Sequence, residues 1–276
     1  MFRVLAGVRW MKKLMLLKNL FSITTFLLLA GCMTGTGRLE TSRSLNDTPH
    51  GYQLVEGPVR AGRVSQRFEV RPGDCGRSDG WDDCKNNRER SEVSIQKKIL
   101  PGSARWIGYS IYLPEDFYSS PRVKTSIGQI HQRGGPGGTA GGLPSFPPLL
   151  QIDAKGDRVD ACLHILSGPR DNIRDICRIL PLTTVSSMRG SWTDVLIHLD
   201  ARDDGFLEVY LNGKLIAQSH GFIRFRPQEY YVKYGLYRSF VSRHGGPMPA
   251  QVAIFDEVRL GKDRASVEVM TDRPVD

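Results

Sequence analysis

The sequence is built from short segments in which apolar and polar residues alternate. This period of two is typical of β-strands, whereas helical signals are weak and occur only near residues 171–179 and 263–268. The strongest local signal is Asn212-Gly213, a dipeptide favoured in the turn of a β-hairpin. The alternation predicts strands at residues 67–70, 105–113, 126–131, 195–199, 206–211, 214–217, 230–237 and 252–260.

Many short strands separated by Gly- and Pro-rich turns predict an all-β fold, an antiparallel two-sheet β-jelly roll of the concanavalin A-like sandwich type. With 40% hydrophobic residues, the chain has enough apolar content for one large core. No internal repeat or second domain boundary is found, so we expect one domain over residues 51–276. The Gly-rich segment 133–142 lacks the spacing of a phosphate-binding loop and predicts a mobile loop beside a cleft.

The N-terminus is organised like an export signal. Residues 1–31 contain five basic and no acidic residues, and they end in an apolar run that is too short to span a bilayer comfortably. The run closes with residues 29–32, Leu-Ala-Gly-Cys, which resemble the lipobox of bacterial lipoproteins. We expect a signal peptide with a lipobox over residues 1–31, lipidation of Cys32 and a flexible tether over residues 32–50. The alternative is an ordinary secretory signal with a chance cysteine.

This organisation predicts a location outside the cytoplasm. The chain is expected to be exported and held by its N-terminal lipid anchor in a membrane of the cell envelope. Met33, not Asp, follows Cys32, which favours the outer membrane, facing the periplasm or exterior, in a Gram-negative cell.

The remaining cysteines support export. Four cysteines allow three pairings. Short loops close at the least entropic cost, so the local pairs are favoured, and such disulfides persist in oxidising compartments. A zinc site is the disfavoured alternative, because no Cys-x-x-Cys spacing is present. The expected disulfides are Cys75 with Cys84 and Cys162 with Cys177.

The charge balance is a weak guide to partners. The full chain carries a net charge of +9, but removal of residues 1–31 takes away five basic residues and leaves +4. A mildly basic protein is poor support for nucleic-acid binding and is compatible with an anionic polysaccharide. We therefore expect no nucleic-acid partner.

Three predicted strands each carry polar side chains on one face. Residues two apart in a strand share a face. Each set alone is typical of a structural histidine, of packed tyrosines or of a solvated edge. Together they are unsuited to a core and indicate a groove for an anionic, hydroxyl-rich chain. The sets are Arg88, Arg90 and Glu92; Gln129 and His131; and Tyr231, Lys233, Gly235 and Tyr237.

These three motifs, in this order, resemble those of the β-jelly-roll polysaccharide lyases, a group that includes alginate lyases, glucuronan lyases and heparin lyase I. The resemblance covers roughly residues 60–262, and residues 106–114 and 255–261 are more similar to heparin lyase I and glucuronan lyases. Alginate lyases usually have an arginine where Ser94 stands and a glutamine where Ser239 stands. The resemblance therefore implies cleavage of a uronic-acid-containing polysaccharide by β-elimination, with alginate a less favoured substrate.

The residue types fit this chemistry. A lyase of this kind removes the proton on C5 of a uronic acid and expels the oxygen on C4. Loss of that proton is unfavourable beside a carboxylate, because the carbanion adds charge to charge. Arg90 and the Gln129 amide are expected to neutralise the carboxylate. Tyr237 is expected to act as base, acid or both, with His131 as the other candidate base.

The remaining polar residues of these segments are expected to bind the substrate. A free tyrosine has a pKa of about 10, so Lys233, Arg90 or Arg238 is also expected to favour the Tyr237 anion. The scheme requires no cofactor or metal, and a structural Ca²⁺ is compatible with it. The expected substrate-binding residues are Arg88, Glu92, Lys233, Tyr231 and Arg238.

Two other functions fit the same fold. A non-catalytic, lectin-like polysaccharide-binding lipoprotein would keep the aromatic residues and the basic groove without needing His131 and Tyr237 together. A jelly-roll glycoside hydrolase would need paired carboxylates on one strand, in a pattern such as Glu-x-Asp-x-x-Glu. That pattern is absent from the sequence, which disfavours the hydrolase.

Overall fold

A computed structural model of the chain describes residues 38–43, 48–78, 81–133, 139–140, 143–144, 146–168, 172, 174–202, 204–221 and 229–276. The expected signal peptide and Cys32 lie outside these residues. Within the described ranges, no helix is long and apolar enough to cross a membrane.

The regular secondary structure of the described residues is almost entirely β-strand. The helical elements are α1 (Val185–Met188) and two 3-10 helices (Val241–His244 and Arg264–Ser266). The strands are β1 (Thr41–Arg43), β2 (Tyr52–Val55), β3 (Ser65–Val70), β4 (Arg77–Ser78), β5 (Trp81–Asp82), β6 (Arg88–Ile95), β7 (Arg105–Tyr112), β8 (Lys124–Arg133), β9 (Thr139–Ala140), β10 (Leu143–Pro144), β11 (Leu150–Lys155), β12 (Arg158–Ser167), β13 (Arg174–Thr184), β14 (Trp192–Asp200), β15 (Phe206–Leu211), β16 (Lys214–His220), β17 (Glu229–Ser239) and β18 (Gln251–Gly261).

Two antiparallel seven-stranded sheets dominate this part of the chain. The first sheet has the order β1-β6-β17-β8-β11-β12-β13, and the second has the order β16-β15-β14-β7-β18-β3-β2. One apolar core takes side chains from both sheets, including Ile130 and Val232 from the first and Phe68, Ile107 and Phe255 from the second. The predicted all-β jelly-roll sandwich is confirmed.

The first sheet separates core residues from polar residues by alternation along its strands, with β-bulges where β8 pairs with β11 and with β17. On β17, Val232 and Leu236 are buried in the core, whereas Lys233 and Tyr237 point to the opposite, outer face and line a cavity there. The same alternation on β6 and β8 places polar side chains on this outer face. The cavity described below therefore results from the period-two pattern of three neighbouring strands.

The β15–β16 hairpin has the predicted turn. Asn212 and Gly213 connect the strands with φ of 48° and 79°. Two successive positive φ angles define the type I′ turn that Asn-Gly favours, because its twist matches that of the strands.

One correction concerns the tether expected over residues 32–50. Thr41–Arg43 in that segment form β1, which pairs antiparallel with β6. The Oγ atoms of Ser42 and Ser94 are 3.0 Å apart across this pair. Without β1, β6 would present an unpaired backbone edge. The jelly roll therefore begins before residue 51.

A second correction concerns the helix signal near residues 171–179. Arg174–Thr184 form β13, which pairs with β12 along its whole length. The local sequence favours a helix weakly, and the long ladder with β12 outweighs that preference. In the Gly-rich segment, β9 pairs over two residues with β10, which follows the segment, and residues 134–138 and 141–142 lie outside the described residues.

The two local disulfides are present, as predicted. Cys75 is joined to Cys84, and Cys162 is joined to Cys177, with Cα–Cα distances of 5.4 Å in both. The first bridge closes the loop that precedes β6, and the second links β12 to β13. Both bridges therefore lie in segments that border the outer face of the first sheet.

Candidate active site

A cavity of about 290 Å³ lies on the outer face of the first sheet. All four residues expected to be catalytic line it, together with two of the expected substrate-binding residues, Arg88 and Lys233. Several residues that sequence reasoning missed also line it. Its lining consists of Arg88, Arg90, Lys124, Gln129, His131, Pro148, Gln151, His164, Asp175, Lys233, Tyr237, Ser239 and Phe240.

The strand register brings the three sequence motifs together. β17 lies between β6 and β8, and Tyr237 is opposite Arg90 on β6. On the other side of β17, Lys233 is opposite Gln129 of β8. The convergence depends on pairing between distant segments, which the sequence pattern alone does not specify.

Glu92 is the centre of a hydrogen-bonded cluster. Its carboxylate accepts hydrogen bonds from the Gln129 amide and from Arg90 Nη1, the latter at 3.3 Å, and it pairs with the Lys233 ammonium. The side chain of Glu92 is only 1% exposed. Its expected role in substrate binding is therefore corrected: Glu92 orients three other side chains and does not present its carboxylate to a ligand.

The guanidinium of Arg90 is bound by the carboxylate of Asp83, a residue that the sequence motifs did not indicate. Arg90 Nη2 donates to Asp83 Oδ1 at 2.6 Å, and Nε donates to the other carboxylate oxygen. Burial disfavours the charged guanidinium, but Glu92 and Asp83 outweigh that effect and raise the pKa of Arg90. Asp83 immediately precedes Cys84, so the disulfide-closed loop supplies this partner.

The hydroxyl of Tyr237 has a cationic neighbour. Arg88 Nε donates a hydrogen bond to Tyr237 Oη at 3.1 Å. The Arg90 guanidinium lies 4.3 Å and the Lys233 ammonium 5.8 Å from the centroid of the Tyr237 ring. Arg88 itself packs 3.7 Å above the ring of Phe240. Arg88 is thus the cation in direct contact with the phenol oxygen.

Arg238 does not belong to this site. Its side chain is fully buried and points away from the outer face, because it alternates with Tyr237 on β17. It donates hydrogen bonds to Glu89, to Gln251 and to the Val70 carbonyl oxygen, all at 2.8 Å. Arg238 was expected to bind substrate and to favour the anion of Tyr237, and both predictions are wrong.

His131 is a partly buried imidazole beside Tyr231. The two rings stack with centroids 5.2 Å apart, and Arg133 lies 4.4 Å above the Tyr231 ring. Burial, reinforced by the positive charge of Lys233, lowers the pKa of His131 to about 3. The imidazole is therefore neutral at physiological pH and only weakly basic.

Lys233 is a buried ammonium. Burial lowers its pKa, and the carboxylate of Glu92 opposes that shift. The ion pair with Glu92 favours the charged form, so Lys233 contributes a cation to the centre of the cavity.

The far end of the cavity contains polar residues that no sequence motif indicated. His164 on β12 lies between Gln151 on β11 and Asp175 on β13. Lys124 on β8 donates to Gln151 Oε1 at 3.0 Å and to Asp153 at 2.9 Å. The period-two pattern of residues 150–155 would have placed Gln151 and Asp153 on one face, but nothing in the sequence joins them to His164. Across the described residues, no cluster of three or more metal-ligating side chains is found.

Solved structures of other proteins have a fold similar to that of this chain. No curated protein matches it in sequence. Its fold is similar to that of the endo-β-1,4-glucuronan lyase from the fungus Trichoderma reesei, with a TM-score of 0.61 and 18% identity over 85% of this chain and 94% of that one. It is also similar to an alginate lyase of polysaccharide lyase family 7, with a TM-score of 0.52 and 15% identity over 79% of this chain and 85% of that one.

These structural similarities have low sequence identity and support the jelly-roll fold. The family is established by sequence. The polysaccharide lyase family matches residues 32–259, which include every strand that contributes to the cavity. Together with the fold, this match identifies the chain as a member of the polysaccharide lyase family, and hence as a lyase.

Proposed function

We propose that this lyase cleaves a uronic-acid-containing anionic polysaccharide by β-elimination in the cavity on the first sheet. The observation that carries the proposal is the convergence of a neutral histidine, a tyrosine in contact with an arginine, and an amide with two further cations. Such a set can neutralise a carboxylate and transfer a proton beside it.

The substrate carboxylate is neutralised by Gln129, Arg90 and Lys233. A guanidinium has five N–H donors and an ammonium has three. Asp83 and Glu92 occupy three donors of Arg90, and Glu92 occupies one of Lys233. Each cation therefore keeps donors for a ligand in the cavity.

Tyr237 is the proton-transfer group. Arg88 donates a hydrogen bond to its oxygen, which places a positive charge next to the atom that carries the negative charge during the reaction. The phenolate takes the proton from C5, the electron pair of that bond forms the C4=C5 double bond, and the bond between C4 and its oxygen breaks. The leaving oxygen then receives the proton from Tyr237, which returns to the phenolate.

His131 assists without being the base. A pKa of about 3 makes its imidazole a weak base. Its Nδ1 lies 3.0 Å from the backbone nitrogen of Gln132, and its Nε2 has no partner among the described residues. We assign Nε2 to hydrogen bonding with the uronate.

The test is ultraviolet absorbance of the unsaturated uronate product, measured with a panel of polyuronides and glycosaminoglycans. A rise in absorbance with at least one polymer supports the proposal and identifies the substrate. Binding without any rise in absorbance would contradict it and favour the lectin-like alternative.

We also propose export and lipidation at Cys32. The support is the run of residues 29–32 at the end of a short apolar segment, together with two disulfides in the domain that follows.

A further inference from the structure

The cavity extends beyond the residues used in the proposed reaction. From Tyr237 on β17 it continues across β8 and β11 to His164 on β12 and Asp175 on β13. A sugar chain lying across the strands would place one ring over the catalytic residues and the adjacent ring over this far end.

The far end is a connected hydrogen-bond network with fixed donors and acceptors. An ammonium has no acceptor, so the Gln151 atom 3.0 Å from Lys124 Nζ must be the amide oxygen. Its amide nitrogen then donates to Ser126 Oγ at 3.0 Å, and that hydroxyl donates to Asp153.

The same network contacts both ring nitrogens of His164. Its Nε2 lies 3.1 Å from the Gln151 oxygen, and its Nδ1 lies 2.9 Å from the Asp175 carboxylate. Both ring nitrogens of His164 are thus engaged by neighbouring side chains of the network.

Each basic side chain at the far end is already paired with a carboxylate. Lys124 pairs with Asp153 at 2.9 Å, and His164 pairs with Asp175 at 2.9 Å. With an imidazolium at His164 these four side chains sum to zero charge, and with a neutral imidazole they sum to a negative charge. In neither form does the far end have an excess of positive charge. The Asp175 side chain is 35% exposed and lines the cavity, so it presents a carboxylate to any ligand there.

The catalytic end of the cavity, around Tyr237 and Arg88, differs in charge from the far end. Arg88 forms no ion pair with any described residue and donates to Tyr237 and to backbone carbonyl oxygens. A sugar carboxylate is attracted at that end. At the far end it would approach Asp175, and like charges brought together without a compensating cation are unfavourable.

We propose that the far end, formed by Lys124, Gln151, His164 and Asp175, is a subsite for a sugar ring without a carboxylate or sulfate, bound through its hydroxyl groups. A carboxylate accepts hydroxyl hydrogen bonds well, and the ammonium donates to ring or hydroxyl oxygens. The inference rests on the proposed function and narrows it: the preferred substrate is a heteropolysaccharide in which a uronate is adjacent to an uncharged sugar.

The experiment compares two soluble polymers, a β-1,4-linked glucuronate homopolymer and hyaluronan, in which glucuronate alternates with N-acetylglucosamine. The readout is the ratio of kcat/KM for hyaluronan to that for the homopolymer. Differences in linkage and length affect every variant equally, so the change in this ratio between variants reports the far end.

We expect Asp175→Asn to lower the ratio by about tenfold, the effect of about 1.4 kcal/mol, because it removes the charge and retains the shape. His164→Gln should raise the ratio, because it removes the imidazole that pairs with the Asp175 carboxylate. Asp160→Asn is the matched control: it removes a carboxylate that pairs with Arg158 outside the cavity, and should leave the ratio unchanged.

An unchanged ratio in both Asp175→Asn and His164→Gln would overturn the subsite. If neither polymer is cleaved, the choice of substrate in the proposed function is wrong. The dissociation constants of the two polymers for Tyr237→Phe, and for Tyr237→Phe combined with Asp175→Asn, then decide the subsite alone. If the ratio of the two dissociation constants differs between the two variants, the subsite is supported. If that ratio is the same in both, the subsite is contradicted.

Discussion

At the scale of single residues, the site depends on how Tyr237 is held. Its hydroxyl contacts Arg88, and the guanidinium of Arg88 rests on the ring of Phe240. Phe240 has a φ of 60°, a left-handed backbone conformation that is strained for an aromatic residue. The backbone therefore changes direction directly after β17 to place this ring at the rim of the cavity.

Replacement of the Tyr237 hydroxyl should abolish proton transfer and preserve binding. Tyr237→Phe removes one oxygen and little volume, so we expect turnover to fall by at least about 10²-fold, the lower range for a general acid–base group. His131→Gln should lose less turnover than Tyr237→Phe, since His131 only donates a hydrogen bond in our scheme. Kinetics and equilibrium binding on the same polymer measure both effects. Normal turnover by Tyr237→Phe would exclude the mechanism.

The neutral state of His131 predicts a pH dependence of stability. Its pKa is about 3 in the folded protein, against 6.5 for a histidine that is fully exposed to water, as in the unfolded chain. Between these values the unfolded chain binds more protons, so the contribution of His131 to folding is lost as the pH falls from about 6.5 towards 3. Urea unfolding of His131→Gln should therefore show less loss of stability over this range than the parent protein. Parallel curves would contradict the assigned shift.

At the scale of elements, the loop closed by Cys75 and Cys84 holds the start of β6. The backbone nitrogen of Arg90 donates to the Asp74 carbonyl oxygen at 2.9 Å. The Arg90 guanidinium is bound by Asp83, next to Cys84. This disulfide therefore fixes a site residue as well as the local fold.

Removal of this bridge should affect turnover more than removal of the other. We expect the double variant Cys75→Ala/Cys84→Ala to lose about 2–4 kcal/mol of stability and several-fold in kcat. The comparison variant, Cys162→Ala/Cys177→Ala, should lose comparable stability and a smaller fraction of kcat, because its bridge contacts His164 of the far end and not Arg90 or Tyr237. Urea unfolding and initial rates provide the two readouts. Equal kcat values for both variants would refute the special role of the first loop.

The elements that the sequence predicted well are those with strong local signals. The Asn212-Gly213 turn and the alternating strands follow directly from side-chain periodicity and turn chemistry. β13 could not be predicted, because its pairing with β12 is a tertiary property. The site residues are predictable where period two applies. The same alternation places Arg238, which follows Tyr237, on the opposite face of β17. Asp83, in a loop, has no periodic signal.

At the scale of the whole molecule, the proposed anchor determines where the enzyme works. Cys32→Ala should leave the chain without a lipid and release it from the membrane fraction. Fractionation followed by mass spectrometry of the N-terminal peptide measures both properties, and a Gly31→Ala variant serves as the control that keeps the cysteine. Membrane retention of Cys32→Ala, with no acyl group on the parent protein, would refute the anchor.

Strand β1 sets a geometric limit on such an anchored enzyme. A tether over residues 32–50 would hold the domain far from a lipid on Cys32. The domain already begins at Thr41 in β1, so the tether is shorter. A fully extended chain spans at most about 3.6 Å per residue, so the sandwich would work within roughly 30 Å of the lipid headgroups. An enzyme so anchored would not search the surrounding medium for its polymer. It would process chains that are delivered to the membrane surface, or that are already held there.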